Sequence, residues 1–283
     1  MTATTPPRSY EERHRAGTEV FDTMQAGTVD VARAATAMVR RNGPLGSFAV
    51  DYVMGDLWSR PQLSRRDRSL IVIAVLAAQG STDELGAHVG IGLNHGLTRD
   101  EVDEIVVQVA AYGGYPMAMA ASRVVEQTFC RIDGVDRQPP RSPAPSKDDE
   151  QRWADAADVL GTLTGGRTSD VAPEQLRANL VEQMGGIGEL VFDWAFGEVW
   201  AGERLSRRDR SLVVLAILTL LSKPEELAFH VPAALHHGVT RTEVEEVMVQ
   251  LCVYGGFPRA IEGMRAVREA WSSLDAVLEP PTS

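Results

Sequence analysis

Ser64-Arg65-Arg66-Asp67-Arg68-Ser69-Leu70 recurs as Ser206-Arg207-Arg208-Asp209-Arg210-Ser211-Leu212, and Tyr112-Gly113-Gly114-Tyr115-Pro116 recurs as Tyr254-Gly255-Gly256-Phe257-Pro258. Positions 64 and 206 differ by 142, as do 112 and 254, so nothing was inserted or deleted between the two blocks. Roughly half of the intervening positions are identical, far above chance for an ungapped match of this length. The chain is a tandem duplication. Its 283 residues divide into a first domain over 10–130, a linker over 131–147 and a second domain over 148–275, each large enough for its own core.

Outward from the repeated block, the signals are helical. Ser64 and Ser206 read as N-caps, each followed by charged residues and then by an apolar run, Leu70 to Ala78 or Leu212 to Leu221, with the breadth of a helix buried on most faces. The next predicted helices are Ser81 to His95 and Lys223 to His237. Gly96-Leu97-Thr98 and Gly238-Val239-Thr240 then stop one helix and start another, with Glu101 and Glu243 at capping-box spacing from the threonines. A last helix follows each Gly-Gly-aromatic-Pro, from Ala118 to Phe129 and from Ala260 to Leu274. Upstream, Phe48 to Trp58 matches Leu190 to Trp200 and predicts a helix with an aromatic inner face. Tyr10 to Ala26 has a counterpart near Ala156 to Gly165, displaced by 139 positions rather than 142. Gln138-Pro139-Pro140-Arg141-Ser142-Pro143-Ala144-Pro145 is extended linker, and residues 1–9 and the tail Glu279 to Ser283 are expected to lack fixed structure. No strand pattern occurs, so the predicted fold is all-α, with the two domains packed as a pseudo-dimer.

Bulk properties exclude several classes of function. A formal charge of −11 argues against a nucleic-acid partner, whose phosphates call for a clustered basic surface. No apolar run approaches the roughly 18 residues needed to cross a bilayer, and Met1 to Ser9 lacks the profile of a secretion signal, so a cytoplasmic protein without a membrane partner is expected. The two cysteines, Cys130 and Cys252, are isolated, which rules out a CxxC pair.

Chemistry concentrates on one helix face. At about 100° per residue, Ser81, Glu84, His88 and His95 share a stripe of roughly 60°. The second copy carries Lys223, Glu226, His230 and His237 there. A carboxylate four residues before an imidazole can hydrogen-bond it and raise its pKa, as a general acid or base near neutral pH requires. The plainer alternatives are that Glu84 completes a capping box with Ser81, that His88 and His230 are core histidines, and that His95 and His237 cap a helix end. His88 and His95 lie about two turns apart, near 10 Å, too far to share a metal ion readily, so none is expected. Arg65, Arg68, Arg207 and Arg210 are candidates for a substrate carboxylate or for solvated pairs with the adjacent aspartates. Tyr112 and Tyr254 are candidates for substrate contact or for packing, and Trp58 and Trp200 read as core.

The assembled pattern is Arg-x-x-Arg-Ser-Leu, Asp/Glu-Glu-Leu-x-x-His, Gly-Leu/Val-Thr and Gln-x-x-x-Tyr-Gly-Gly-x-Pro. It resembles the carboxymuconolactone decarboxylase family, within the alkyl hydroperoxidase D-like superfamily. In that superfamily's CxxCxxxH motif the thiols would fall at Ser81 and Glu84, and at Lys223 and Glu226, so thiol peroxidase chemistry is excluded here. The resemblance implies an all-helical, cofactor-free, homo-oligomeric enzyme, such as a trimer or dimer of the fused unit. It would act as a lyase or isomerase on a small carboxylated lactone or oxo-acid. It further implies acid-base roles for Glu84/His88 and Glu226/His230, an oxyanion role for His95 and His237, and carboxylate binding by an arginine of the Arg-Arg-Asp-Arg turn. A hydrolase, cyclase or tailoring enzyme on a larger natural product, and a non-catalytic binding protein, are the alternatives. Lys223, Pro232 and His236 replace Ser81, Gly90 and Asn94, so the two copies are unequal.

Overall fold

The computed structural model describes residues 8–278, and among them every regular element is helical. The expectations for residues 1–7 and for the tail from Glu279 to Ser283 lie outside the described residues. The first copy runs α1 (Tyr10–Met24), α2 (Val31–Asn42), α3 (Pro44–Phe48), a π-helical segment (Ala49–Trp58), α4 (Arg65–Gln79), α5 (Thr82–Asn94), α6 (Arg99–Tyr112) and α7 (Tyr115–Asp133). The second repeats it as α8 (Asp149–Leu163), α9 (Pro173–Met184), α10 (Gly186–Leu190), a second π-helical segment (Val191–Trp200), α11 (Arg207–Leu220), α12 (Pro224–His236), α13 (Arg241–Tyr254) and α14 (Phe257–Leu278).

The cores are built on α4 and α11, whose residues from Leu70 to Ala78 and from Leu212 to Leu220 are all buried. These helices pack against each other across the pseudo-dimer, while α5, α6 and α7 surround α4 and α12, α13 and α14 surround α11. Serine N-caps start both, Ser64 accepting from the Asp67 amide at 3.0 Å and Ser206 from the Asp209 amide at 3.1 Å. The Thr98 and Thr240 capping boxes form as the spacing predicts. On α1, Gly17 lies where a Cβ would collide with the Val50 carbonyl, and Gly55 faces the Arg13 carbonyl likewise, so two glycines let α1 lie directly on the π-helical segment.

Three expectations change. The aromatic segments Phe48 to Trp58 and Leu190 to Trp200 are largely π-helical rather than α-helical; the expected aromatic inner face forms in the second copy, where Phe192, Phe196 and Trp200 are buried, whereas in the first only Trp58 faces the core and Phe48 and Tyr52 are more than half exposed. Helices α2 and α9 arise in segments for which no helix was expected. The capping boxes at Ser81–Glu84 and Ser222–Glu225 do not form; the Ser81 hydroxyl instead accepts from Gln79 Nε2 at 3.2 Å, and Ser222 takes a left-handed backbone. The linker is anchored, Arg141 pairing with Asp103 at 3.0 Å and Lys147 with Asp155 at 2.7 Å. Among the described residues no helix is long and apolar enough to cross a membrane.

Candidate active site

Each histidine stripe meets an indole from its own copy and a phenol from the other. In the first copy, α5 presents the buried His88 and the half-buried His95 to Trp58, at the end of the π-helical segment. The Trp58 ring lies 6.3 Å from His88 and 5.7 Å from His95. Tyr254, which ends α13 of the second copy, completes the cluster: it stands edge-on to His88 at 5.6 Å and accepts the Trp58 indole N–H at 2.9 Å. The second cluster mirrors this. Trp200 stacks on His230 at 6.1 Å and tilts against His237 at 5.6 Å, while its N–H donates to Tyr112 of the first copy at 2.8 Å. Both sites are therefore composite, and neither copy holds a whole one.

Hydrogen bonding separates the histidines into two kinds. His95 Nδ1 lies 2.8 Å from Ser69 Oγ, and its Nε2 lies 3.2 Å from Thr23 Oγ1. The Thr23 hydroxyl already donates to the Val20 carbonyl at 2.7 Å, so it accepts from His95 Nε2–H and leaves Nδ1 to accept from Ser69. His237 repeats the arrangement with Ser211 at 2.8 Å and Thr162 at 3.1 Å, Thr162 in turn donating to the Val159 carbonyl. These two imidazoles are held in one tautomer with both nitrogens engaged, which fits positioning better than the expected oxyanion contact. His88 is the other kind: its Nδ1 is buried without a partner. An unsatisfied polar atom in such a cluster marks a place for a ligand group.

Burial pushes all four imidazoles down to about 4. His95 adds to the effect on His88, Arg65 to that on His95, His237 to that on His230, and Arg207 with His236 to that on His237. They are neutral at physiological pH. Glu84 and Glu226 do not raise them, because both carboxylates are exposed and neither hydrogen-bonds its histidine. The helical spacing put each pair on one face, but the glutamates point to solvent at the first turn. Burial also raises the Tyr112 and Tyr254 phenols, which stay protonated.

Of the four candidate arginines, two face the histidines and two do not. Arg65 donates to the Trp58 carbonyl beside His95, and Arg207 donates to Thr162 beside His237. Arg68 and Arg210 are corrected to interface residues. The fully buried Arg68 binds Glu246 at 2.7 Å, Gln250 at 2.7 Å and the Arg60 carbonyl at 2.8 Å; Arg210 binds Glu104 at 2.6 Å, Gln108 at 3.1 Å and the Gly202 carbonyl at 2.7 Å. Their terminal guanidinium nitrogens are taken up by a carboxylate and an amide of the other copy and a carbonyl of their own, which leaves none of them for a substrate carboxylate. Trp58 and Trp200 are buried, as the core reading expected, and also line the histidine clusters; Ser69 and Thr23, which bond His95, were not singled out from the sequence. The signal was present in the repeat, since Ser69/Ser211, Thr23/Thr162 and Trp58/Trp200 are all retained. Among the described residues no group of three metal-ligating side chains forms. A cleft of about 470 Å³ lies on another face of α5, against α7, and no histidine lines it.

The Carboxymuconolactone decarboxylase family matches this chain twice, over residues 44–127 and 186–269. The chain is 37% identical over 119 residues to the 4-carboxymuconolactone decarboxylase of Acinetobacter baylyi, a match covering 42% of this chain and 88% of that protein. It is 38% identical over 76 residues to the nitrosuccinic acid decarboxylase npaB of Metarhizium robertsii, covering 27% of this chain and 53% of the relative. It is also 30% identical over 111 residues to Peroxisomal protein 2 of Schizosaccharomyces pombe, covering 36% and 52%. The chain belongs to the carboxymuconolactone decarboxylase family and carries the family's domain twice in one polypeptide.

Proposed function

We propose that the protein is a decarboxylase of a small carboxylated lactone or oxo-acid, working through composite sites of Trp, His, Arg and Tyr. The observation that carries this reading is the buried, unpartnered His88 Nδ1 on a ring that packs edge-on against Tyr254, in a chain similar to two decarboxylases. In such a reaction the C–C bond to the carboxylate breaks, carbon dioxide leaves, and the electron pair delocalises onto a neighbouring oxygen before a proton reaches carbon. Only groups that bind the resulting oxyanion more tightly than the substrate speed the step.

The first site has suitable groups. Tyr254 accepts the Trp58 N–H and spends its own proton on no acceptor among the described residues, so it is poised to donate to an oxyanion. His88 is neutral, so its unpartnered ring nitrogen can hydrogen-bond the substrate without adding a charge, and the proton that reaches carbon comes from solvent. Arg65 is near enough to hold a carboxylate, and His95, fixed by Ser69 and Thr23, positions the wall. No step calls for a metal or an organic cofactor.

The test is release of carbon dioxide from 4-carboxymuconolactone by the full chain and by His88→Ala and His230→Ala made separately. Turnover by the unaltered chain is expected, with kcat falling about 100-fold or more in at least one variant. Full activity in both variants refutes the assignment.

A further inference from the structure

We infer that the two composite sites are unequal: the one containing His88 binds an anionic ligand through Arg65, while in the one containing His230 the equivalent Arg207 is pre-empted by Asp158. This rests on the reading that the histidine clusters are substrate sites.

Arg65 and Arg207 are equivalent in the repeat, and so are Glu19 and Asp158 on α1 and α8. Arg207 is spent: it pairs with Asp158 at 2.7 Å and donates to Thr162 at 2.7 Å. Arg65 makes one hydrogen bond, to the Trp58 carbonyl, and no carboxylate lies within ion-pair distance of it among the described residues; Glu19 acts on it only through space. A half-buried guanidinium with most of its donors unspent is the group a carboxylate would bind, in a bidentate fork that Asp158 pre-empts at the second site.

One further difference points the same way. The Tyr112 hydroxyl lies 3.5 Å from His230 Nε2, so phenol and imidazole are directed at each other. In the first site the phenol makes no such contact and His88 Nδ1 has no partner. The second site thus engages internally a guanidinium and a phenol–imidazole pair whose counterparts in the first site make no such contacts.

The experiment titrates maleate, a small dicarboxylate, into the full chain carrying [13Cε1]-histidine, with resonances assigned through single His→Gln variants. The His88 and His95 signals are expected to shift with a midpoint about tenfold below that of His230 and His237, the worth of one charge-assisted hydrogen bond. Asp158→Asn is expected to bring the two midpoints within about threefold, as removal of a partly exposed ion pair implies. Arg65→Gln should abolish the preference. Equal midpoints, a lower midpoint for His230 and His237, or signals that do not move for either pair overturn the inference. Selective maleate binding without carbon dioxide release refutes the proposed reaction alone, and turnover with equal midpoints refutes the inequality alone.

Discussion

Each residue of the repeated Ser-Arg-Arg-Asp-Arg-Ser block has a separate task. Ser64 caps α4, Arg65 faces His95, and Ser69 fixes the His95 tautomer. Arg66 pairs with Asp209 of the other copy at 2.8 Å, Asp67 receives Arg208 at 3.0 Å, and Arg68 enters the opposite core. The block is therefore an interlock between copies as much as an active-site segment, and this is why it survives in both while their flanks diverge. The buried histidines set a pH limit on that arrangement. An unfolded imidazole protonates near 6.5, whereas folded His88 and His230 do so only at about 4, so the unfolded chain binds protons more readily between those values. Their stabilising contribution is complete above pH 6.5 and is lost as pH falls toward 4, on the order of 3 kcal/mol for each fully buried ring. Thermal melts should show Tm dropping between about pH 7 and pH 4.5, with a smaller drop in a His88→Gln/His230→Gln variant. An unchanged slope in that variant would assign the loss to other groups.

Among the elements, α4 and α13 are joined by one carboxylate. Glu246 binds the fully buried Arg68 at 2.7 Å and also Arg60 at 2.7 Å. At the equivalent joint between α11 and α6, Glu104 binds Arg210, and Gly202 stands where Arg60 would be. Removing one member of a buried ion pair strands the other, at about 3–5 kcal/mol. Glu246→Gln is thus expected to lower stability in chemical denaturation more than Glu104→Gln, because it removes the ion pairs of two guanidinium groups instead of one. Equal effects would mean that Arg60 adds nothing. Legibility varied element by element for similar physical reasons. Helices α4, α6, α11 and α13 declare themselves through caps and apolar faces, and their boundaries follow Ser64, Thr98, Ser206 and Thr240. Helices α2 and α9 each bury a single residue, Ala35 or Leu176, and the stripe that α2 does carry, Val31, Ala34, Ala35 and Met38, is half alanine and so a weak signal. The π-helical turn before Trp58 was hidden because a local sequence does not distinguish i+5 from i+4 bonding. The histidine stripes were legible within one helix; the phenols that complete them come from the other copy, and no single-helix periodicity carries that information.

At the scale of the whole molecule, the duplication leaves matched apolar surface uncovered. Leu45 and Ile187, Phe48 and Leu190, and Tyr52 and Trp194 occupy equivalent positions, and each is exposed; Leu45 reaches 72% and Ile187 67%. All three pairs keep large apolar side chains although roughly half of the repeated block has diverged. An apolar face of this kind marks an interaction surface. Because one chain carries such side chains twice, once in each repeat, we propose as the partner another subunit of the same protein, whose repeats offer the same chemistry in turn. The protein is therefore expected to run in light scattering at a multiple of its 30.8 kDa chain mass. Replacing Leu45 and Ile187 together by Asp should reduce the mass to that of one chain while leaving far-ultraviolet circular dichroism unchanged, since neither side chain contributes to a core. A single-chain mass for the unaltered protein, at concentrations up to about 100 μM, would refute the assembly, because an interface of standard area is ordinarily saturated there.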